Sequence, residues 1–344
     1  MLEALWKRIL RRGGISPWSI PAAALWLASL GYRLVIRGRS TKPKHRIKVP
    51  ISVISIGNIA VGGSGKTPMV KLLAQSLIQS GLRVGIVSSG YRRSGVLPLI
   101  EDGRAIAARA AEETGDEVNM LARDLPYAQF AVHPSKSQGA HLLAEKGNVD
   151  VIIVDDGFQH LKLHRDLDVV TFDAAVPKAW LKLFPYGILR EPLAALSRAD
   201  LIVITRPDFA QDISELKSDL KLRAPGTPLY TARFNAGRLI GRNWNLPIKY
   251  LEDKSVLLFA GVGNFDSLQR QVRSLSGSLV ESVELADHQR YDQPTLERLH
   301  RHVNKSKPDV VITTAKDWVK VGAFDFGREF YYLDLQVDLD PGEE

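Results

Sequence analysis

Short apolar runs alternate with longer amphipathic stretches over most of this chain. A β-branched run begins at Ser52, and further apolar runs at 83–88, 128–132, 151–154, 169–172 and 201–205 each read as a strand. Between them, 69–80, 105–113 and 135–146 read as helices, and another helix begins within 117–125. Strands that are apolar on both faces and alternate with helices predict a mostly parallel sheet covered on both sides. The rhythm breaks at 225–251, a segment rich in Gly, Pro and Asn. There, 229–234 and 239–244 read as a hairpin turning at Asn235, Ala236 and Gly237. Strands at 256–260, 279–283, 310–313 and 330–333 follow, with helices near 265–275 and 293–304.

Composition changes this picture in two places. The 344 residues hold no cysteine, which excludes disulfides and thiolate metal sites. The net charge of +8 is local rather than general. Residues 1–50 carry eleven lysines and arginines against one acid, Glu3, so that segment is +10 and the rest of the chain is −2. A nucleic-acid enzyme spreads its basic surface over the catalytic body, so no nucleic-acid partner is expected. The basic residues bracket an apolar stretch, 15–36, whose only charge is Arg33. That stretch has the length to span a bilayer. It also suits the interface, with Trp18, Trp26 and Tyr32 at headgroup depth and the basic flanks on anionic lipid. A signal peptide would need cleavage near Ser29, Leu30 and Gly31, a poor site. A buried core helix is the plain alternative, which the cationic flanks oppose. Basic residues on both sides favour an interfacial or partly inserted helix over a clean span.

The chemistry is concentrated at 52–67, SVISIGNIAVGGSGKT. A strand, a glycine-rich turn and a helix opened by Pro68 form the context of a phosphate-binding P-loop. Gly62, Gly63, Ser64 and Gly65 let backbone N–H groups curl around phosphate oxygens at a helix N-terminus. Lys66 can reach the β- and γ-phosphates, and Thr67 offers a hydroxyl to Mg²⁺. The usual first glycine of this motif is Ala60 here. The expected fold class is therefore α/β: a P-loop NTPase-like, mostly parallel sheet covered by helices, a smaller C-terminal α/β domain, and an N-terminal membrane-associated helix. The expected division is 1–45 for the basic N-terminal region, 46–228 for the P-loop core, 229–251 for a hairpin linker and 252–344 for the C-terminal domain.

Asp155 and Asp156 end an apolar strand, where carboxylates hold Mg²⁺ beside a P-loop threonine. Adjacent side chains of extended backbone point opposite ways, so the two have different tasks. The plain alternative is a turn, since Gly157 follows. Asp116 reads equally as a helix N-cap and as the general base for phosphorylating an alcohol. His288, beside Asp287, reads as a surface pair or as a group tuning a base. Thr313 to Asp317 reads as a strand-end cap or a polar contact, and Arg190 as a phosphate contact or a local ion pair. Thr205, Arg206, Pro207 and Asp208 loosely match the guanine-reading element of P-loop GTPases, so a membrane-associated GTPase or ATPase switch is the rival reading.

Together these elements resemble the tetraacyldisaccharide 4'-kinases of lipid A biosynthesis. The most specific match is 155–168, DDGFQHLKLHRDLD, followed by the P-loop from Gly57 to Pro68. The resemblance implies an ATP- and Mg²⁺-dependent kinase on the cytoplasmic face of the bacterial inner membrane. Its acceptor would be an acylated glucosamine disaccharide 1-phosphate, phosphorylated on the 4'-hydroxyl to give lipid IVA, with no obligate protein partner. By motif, Gly62 to Thr67 bind ATP, Thr67, Asp155 and Asp156 serve the metal, Asp116 is the base and His288 pairs with it. The chain departs from the family pattern at Ser89, Val118, Gln289 and Ala315, and Arg92 or Arg93 stands in for an arginine usual at 89.

Overall fold

A computed structural model describes residues 20–39, 46–91, 93–94 and 98–340. Residues 1–19 and 40–45 of the basic N-terminal region, and Arg92, lie outside the described residues.

In chain order the elements are α1 (Ile20–Arg39), β1 (Ser52–Gly57), α2 (Lys66–Gln79), β2 (Val84–Ser88), β3 (Leu99–Asp102), α3 (Gly103–Ala108), α4 (Ala111–Thr114), α5 (Asp116–Asp124), β4 (Gln129–Val132) and α6 (Lys136–Lys146). Then come β5 (Val151–Asp155), β6 (Leu167–Asp173), β7 (Leu201–Thr205), α7 (Ile213–Arg223), β8 (Leu229–Ile240), β9 (Asn245–Pro247) and β10 (Ser255–Ala260). The chain ends with α8 (Phe265–Leu275), β11 (Ser278–Glu284), α9 (Gln293–Ser306), β12 (Val310–Thr314), α10 (Ala315–Val321) and β13 (Glu329–Asp340).

The chain packs as two compact units, each discontinuous in sequence. Of the described residues, the first comprises 20–39, 46–70, 136–233 and 338–340. In it β1 lies between β5 and β6, β6 pairs with β7, and β7 with the start of β8, all parallel. All five residues of β5 are buried, as a parallel strand covered on both faces requires. Its core gathers Ile59, Phe158, Val170, Phe172, Leu196, Ile202 and Ile204.

The second unit comprises residues 71–135 and 234–337. It holds β2 parallel to β4, β3 antiparallel on β4, and a parallel run of β11, β10, β12 and β13. One core cluster is formed by Val256, Leu258, Val310, Ile312 and Leu333, and another by Leu257, Phe259, Val311 and Phe326. Helix α10 packs against α5.

Two expectations need correction. The helix expected at 105–113 is broken into α3 and α4, with Arg109 extended between them. The Asn119 side-chain amide donates to the carbonyls of Ile106 and Arg109 (3.2 and 2.9 Å), which compensates the helix bonds lost at the break. The turn expected at Asn235, Ala236 and Gly237 is absent: β8 runs straight through, and β9 returns antiparallel to it after a turn at 241–244. Gly237 is explained by a close approach, because a Cβ there would stand 2.5 Å from the Gln336 side chain. Strand β3 has no fully buried residue and was not legible as an apolar run.

Candidate active site

Within the first unit, the turn between β1 and α2 is shaped by glycines in left-handed conformations. Gly62 has φ +111° and Gly65 φ +79°, values that side chains oppose. Lys66 and Thr67 open α2, so the expected phosphate-binding residues Gly62, Gly63, Ser64, Gly65, Lys66 and Thr67 form one strand–turn–helix. The turn is stitched down from several sides. Asn58 Nδ2 donates to Ser64 Oγ (2.8 Å), which also bonds Thr171 Oγ1 (2.8 Å). Thr205 Oγ1 donates to the Ser64 carbonyl, and Arg206 Nη2 to the Gly63 carbonyl. The Ser64 hydroxyl is thus spent inside the protein, and what it can offer a phosphate is its backbone N–H.

Asp155 is the last residue of β5, in register with Ile56 of β1, and is buried. Asp156 follows with φ +52°. Its carboxylate meets Lys66 Nζ at 3.7 Å and accepts from Arg190 Nη1 at 2.7 Å. Burial pushes this carboxyl up, but Lys66 and Arg190 outweigh that and hold it at about 2. The two side chains diverge, but not by alternation of extended backbone as expected: Asp155 ends β5, and Asp156 leaves it in a left-handed conformation. The rest of the 155–168 block holds this loop in place. Arg165 pairs with Asp168 through Nε and Nη2 (2.7 and 2.8 Å) and donates to the His160 carbonyl (2.7 Å). His160 is lowered to about 4 by burial and by Lys136, which keeps it neutral at pH 7.

Sequence reasoning missed Lys136. Its Nζ is buried and donates to the Asp155 carbonyl at 2.6 Å. A lysine at a helix start gives no signal of this, because the contact closes over nineteen positions. Arg190 was a candidate, and the structure gives it the carboxylate of Asp156. Asp208, the residue that would read guanine, faces Arg233 in an exposed pair, while Arg206 is taken up by Asp173.

Within the second unit, Asp116 and His288 come together although they are 172 positions apart. The cap of α5 is Gly115, φ +97°, without a side-chain cap bond, so the Asp116 carboxylate is not spent on the helix end. Gly115 is held where a Cβ would stand 3.1 Å from Gly90, which leaves glycine as the only comfortable residue. His288 Nδ1 lies 3.2 Å from Asp116 Oδ2, and Lys320 Nζ donates to the same oxygen at 2.9 Å. Burial pushes Asp116 up, but His288 and Lys320 prevail and hold it below the usual carboxylate range. Tyr91 packs edge-on against the His288 ring at 5.4 Å. Thr314 caps α10, accepting from the Asp317 N–H and donating to Asp317 Oδ2, while Lys316 of the same motif donates to Asp287 Oδ1 at 2.6 Å, so both the cap and the polar contact are met. Lys316 belongs to that motif, whereas Lys320, on the same helix, was not singled out. Their four-residue spacing puts them on one face of α10, a signal visible only once that helix is known to pack on α5.

Among the described residues no cluster of three or more His, Asp, Glu or Cys side chains could hold a metal unaided. Nor is any described helix long and apolar enough to cross a membrane. Helix α1 exposes Leu27, Leu30, Leu34 and Val35, while Tyr32 donates to the Arg190 carbonyl at 3.0 Å.

Comparison with known proteins then supplies a family. A family model described as tetraacyldisaccharide-1-P 4'-kinase matches residues 21–344. A tetraacyldisaccharide 4'-kinase of Pelobacter propionicus is 35% identical over 302 residues, covering 85% of this chain and 81% of that protein. One from Pelodictyon phaeoclathratiforme is 31% identical over 338 residues, covering 92% and 93%. Among solved structures, the "apo" form of LpxK from Aquifex aeolicus in complex with ATP superimposes with a TM-score of 0.74 at 28% identity, covering 93% of this chain and 96% of that one.

Proposed function

The chain belongs to the tetraacyldisaccharide-1-P 4'-kinase family and is an ATP-dependent kinase of that class; from that premise we propose how its residues divide the reaction. Lys66 and the backbone of 62–67 bind the phosphates of ATP, the arrangement a P-loop at a helix N-terminus favours. Asp116 accepts the proton of the acceptor's 4'-hydroxyl. As that O–H bond breaks, the oxygen's electron pair forms the bond to the γ-phosphorus. The bond between that phosphorus and the β,γ-bridging oxygen breaks, and its electrons leave on ADP. A carboxylate held ionised is suited to this, because in phosphoryl transfer the base mainly orients the hydroxyl and takes a proton it is already losing.

Thr67 and Asp155 would hold Mg²⁺, with Asp156 beside them. These are hard oxygen donors, few in number, of the kind Mg²⁺ takes when phosphates and water complete its shell. When bound, the ion supplies neutralisation of charge on the β- and γ-phosphates. Asp156, already committed to Lys66 and Arg190, keeps those two cations ordered. The acceptor is amphiphilic, and the exposed Leu27, Leu30 and Leu34 of α1, with the basic residues around it, support association with the inner membrane's cytoplasmic face.

The observation that carries this reading is the Asp116–His288 pair, brought together from distant positions with its carboxylate spared from capping. The test is transfer of labelled γ-phosphate from ATP to tetraacyldisaccharide 1-phosphate in detergent micelles. Label in the lipid with wild type and none with Lys66→Ala is the expected result. ATP consumption without labelled lipid would overturn it and restore the switch NTPase.

A further inference from the structure

Away from the reacting groups, the first unit carries a further exposed apolar feature in the segment 178–190, which follows β6 and ends at Arg190. Its side chains alternate there: Leu181 and Leu183 pack against the core of the unit, while Lys182 and Phe184 are exposed. The backbone is tied down on itself. Phe184 N–H donates to the Leu189 carbonyl (2.9 Å), Leu189 N–H to the Lys182 carbonyl (2.9 Å) and Ile188 N–H to the Trp180 carbonyl (3.1 Å). Gly187 permits this tight fold, because a Cβ there would stand 2.3 Å from the Lys182 carbonyl oxygen. A single exposed ring needs no explanation, but this one is continuous with a larger surface. Phe184, 39% exposed, packs edge-on against Tyr32 of α1 at 5.9 Å. On α1, Leu25, Ser29, Tyr32 and Ile36 recur at helical spacing as the seam turned to the protein, and Trp26, Leu27, Leu30 and Leu34 stay exposed. Lys182 Nζ lies over the Tyr186 ring at 4.8 Å and, like Arg33 and Arg37 of α1, has no carboxylate partner among the described residues. Lys178 differs: it pairs with Glu215 and Asp219 of α7, which marks the edge of the cationic surface.

We propose that residues 180–186 are a second membrane-contacting element, which lays Phe184 at the boundary of headgroups and acyl chains and Lys182 on anionic headgroups beside α1. The occupant of this surface is an anionic bilayer, because it joins an apolar strip to cations that no carboxylate neutralises. This rests on the reading that α1 lies on the membrane. One interfacial helix can roll about its own axis, and a rigid contact off that axis stops the roll. The consequence for the reaction follows from what the segment is tied to. Arg190 N–H donates to the Ile59 carbonyl and Val61 N–H to the Ile188 carbonyl, each at 2.7 Å, and Tyr32 Oη donates to the Arg190 carbonyl. The approach to the phosphate turn is thus stitched to the same segment that meets lipid. Its height above the bilayer is thereby set for an acceptor whose acyl chains stay in the membrane.

The chain has no cysteine, so one introduced at a time carries a unique nitroxide label. Phe184→Cys, Leu30→Cys and Leu222→Cys are compared in the full chain, with and without vesicles of phosphatidylglycerol and phosphatidylcholine. Leu222, 80% exposed on α7, is the aqueous control. Collisions of the label with oxygen and with a water-soluble nickel chelate read its immersion. On vesicles, the label at 184 should lose nickel collisions by about fivefold or more and gain oxygen collisions, as the label at 30 does, while the label at 222 is unchanged. A label at 184 as aqueous as the one at 222, with the label at 30 immersed, overturns the proposal. Labels at 30 and 184 both left in water would instead sink the reading of α1 itself. Protection at 184 before vesicles are added also overturns the proposal, since another protein surface then covers the segment. Should Phe184→Cys not fold, Lys182→Cys gives the same readout. In the unlabelled chain, Lys182→Glu should weaken binding to the anionic vesicles by about tenfold at low salt, and binding to phosphatidylcholine alone not at all. Equal binding of Lys182→Glu and wild type to the anionic vesicles contradicts the assigned headgroup contact.

Discussion

The P-loop turn and the Asp116 cluster are both proposed to act on the reaction, but they are built differently. The P-loop is local: sixteen consecutive residues contain the strand, the glycines at positive φ and the helix start. Its donors are backbone N–H groups, whose directions follow from φ and ψ alone. The Asp116 cluster is assembled from side chains 172 and 204 positions away in sequence. Its geometry depends on α5 meeting α10 and on the close approach of Gly115 to Gly90. Local backbone sites are readable from a motif; a site made by tertiary packing is not.

The largest expected effect is at Lys66. Lys66→Ala should lower transfer by about ten-thousand-fold, since a charge aimed at the transferring phosphoryl acts mostly in the transition state. Single-turnover transfer and ATP binding measured together would show it. If both changed by less than about tenfold, Lys66 would be no more than the structural partner of Asp156.

Gly115→Ala tests the second region through its backbone. A methyl at φ +97°, against Gly90 at 3.1 Å, should cost about 1–2 kcal/mol of stability and move Asp116. Transfer should fall about tenfold or more with ATP affinity unchanged. Equal loss of both would mean the substitution acts on the whole fold.

Asp156→Asn probes the ion pair between Lys66 and Arg190. The folded-state carboxyl is held at about 2, below its ordinary 3.8. Its ionised form therefore contributes stability that is full above about pH 4 and lost as the pH falls through about 2. The gap in thermal midpoint between wild type and Asp156→Asn should narrow from pH 5 towards pH 2.5. A gap independent of pH would show that the charge of Asp156 is not what stabilises the turn. The smallest effect belongs to Asp208→Ala. Its pair with Arg233 is exposed, so stability should change by less than about 0.5 kcal/mol and the preference for ATP over GTP not at all. A swing towards GTP would revive the guanine-reading element.

The same contrast explains what could be read from the residues. The apolar runs that became β5, β7, β10 and β12 were legible because strands buried on both faces need no polar alternation. β3, an antiparallel strand with no buried residue, lacked that signal. Gly237 was misread as a turn because close packing and chain reversal leave the same residue type. In the site, Gly62 to Thr67 and the two aspartates stood out by spacing. Asp116 and His288 were candidates from residue type, and only the likeness to a family joined them. Lys136 and Lys320 were invisible, since each looks like an ordinary helix lysine until its partner is known. The two units are also discontinuous in sequence, which composition shifts along the chain do not reveal.

Asp116, held by His288 and Lys320, is the proposed base for the 4'-hydroxyl. Its most direct test is single-turnover transfer from ATP to tetraacyldisaccharide 1-phosphate by Asp116→Asn, alongside its ATP affinity and thermal midpoint. The expected result is about a thousandfold loss of transfer with ATP affinity unchanged and the fold intact. Transfer within about threefold of wild type by a folded Asp116→Asn protein would contradict it.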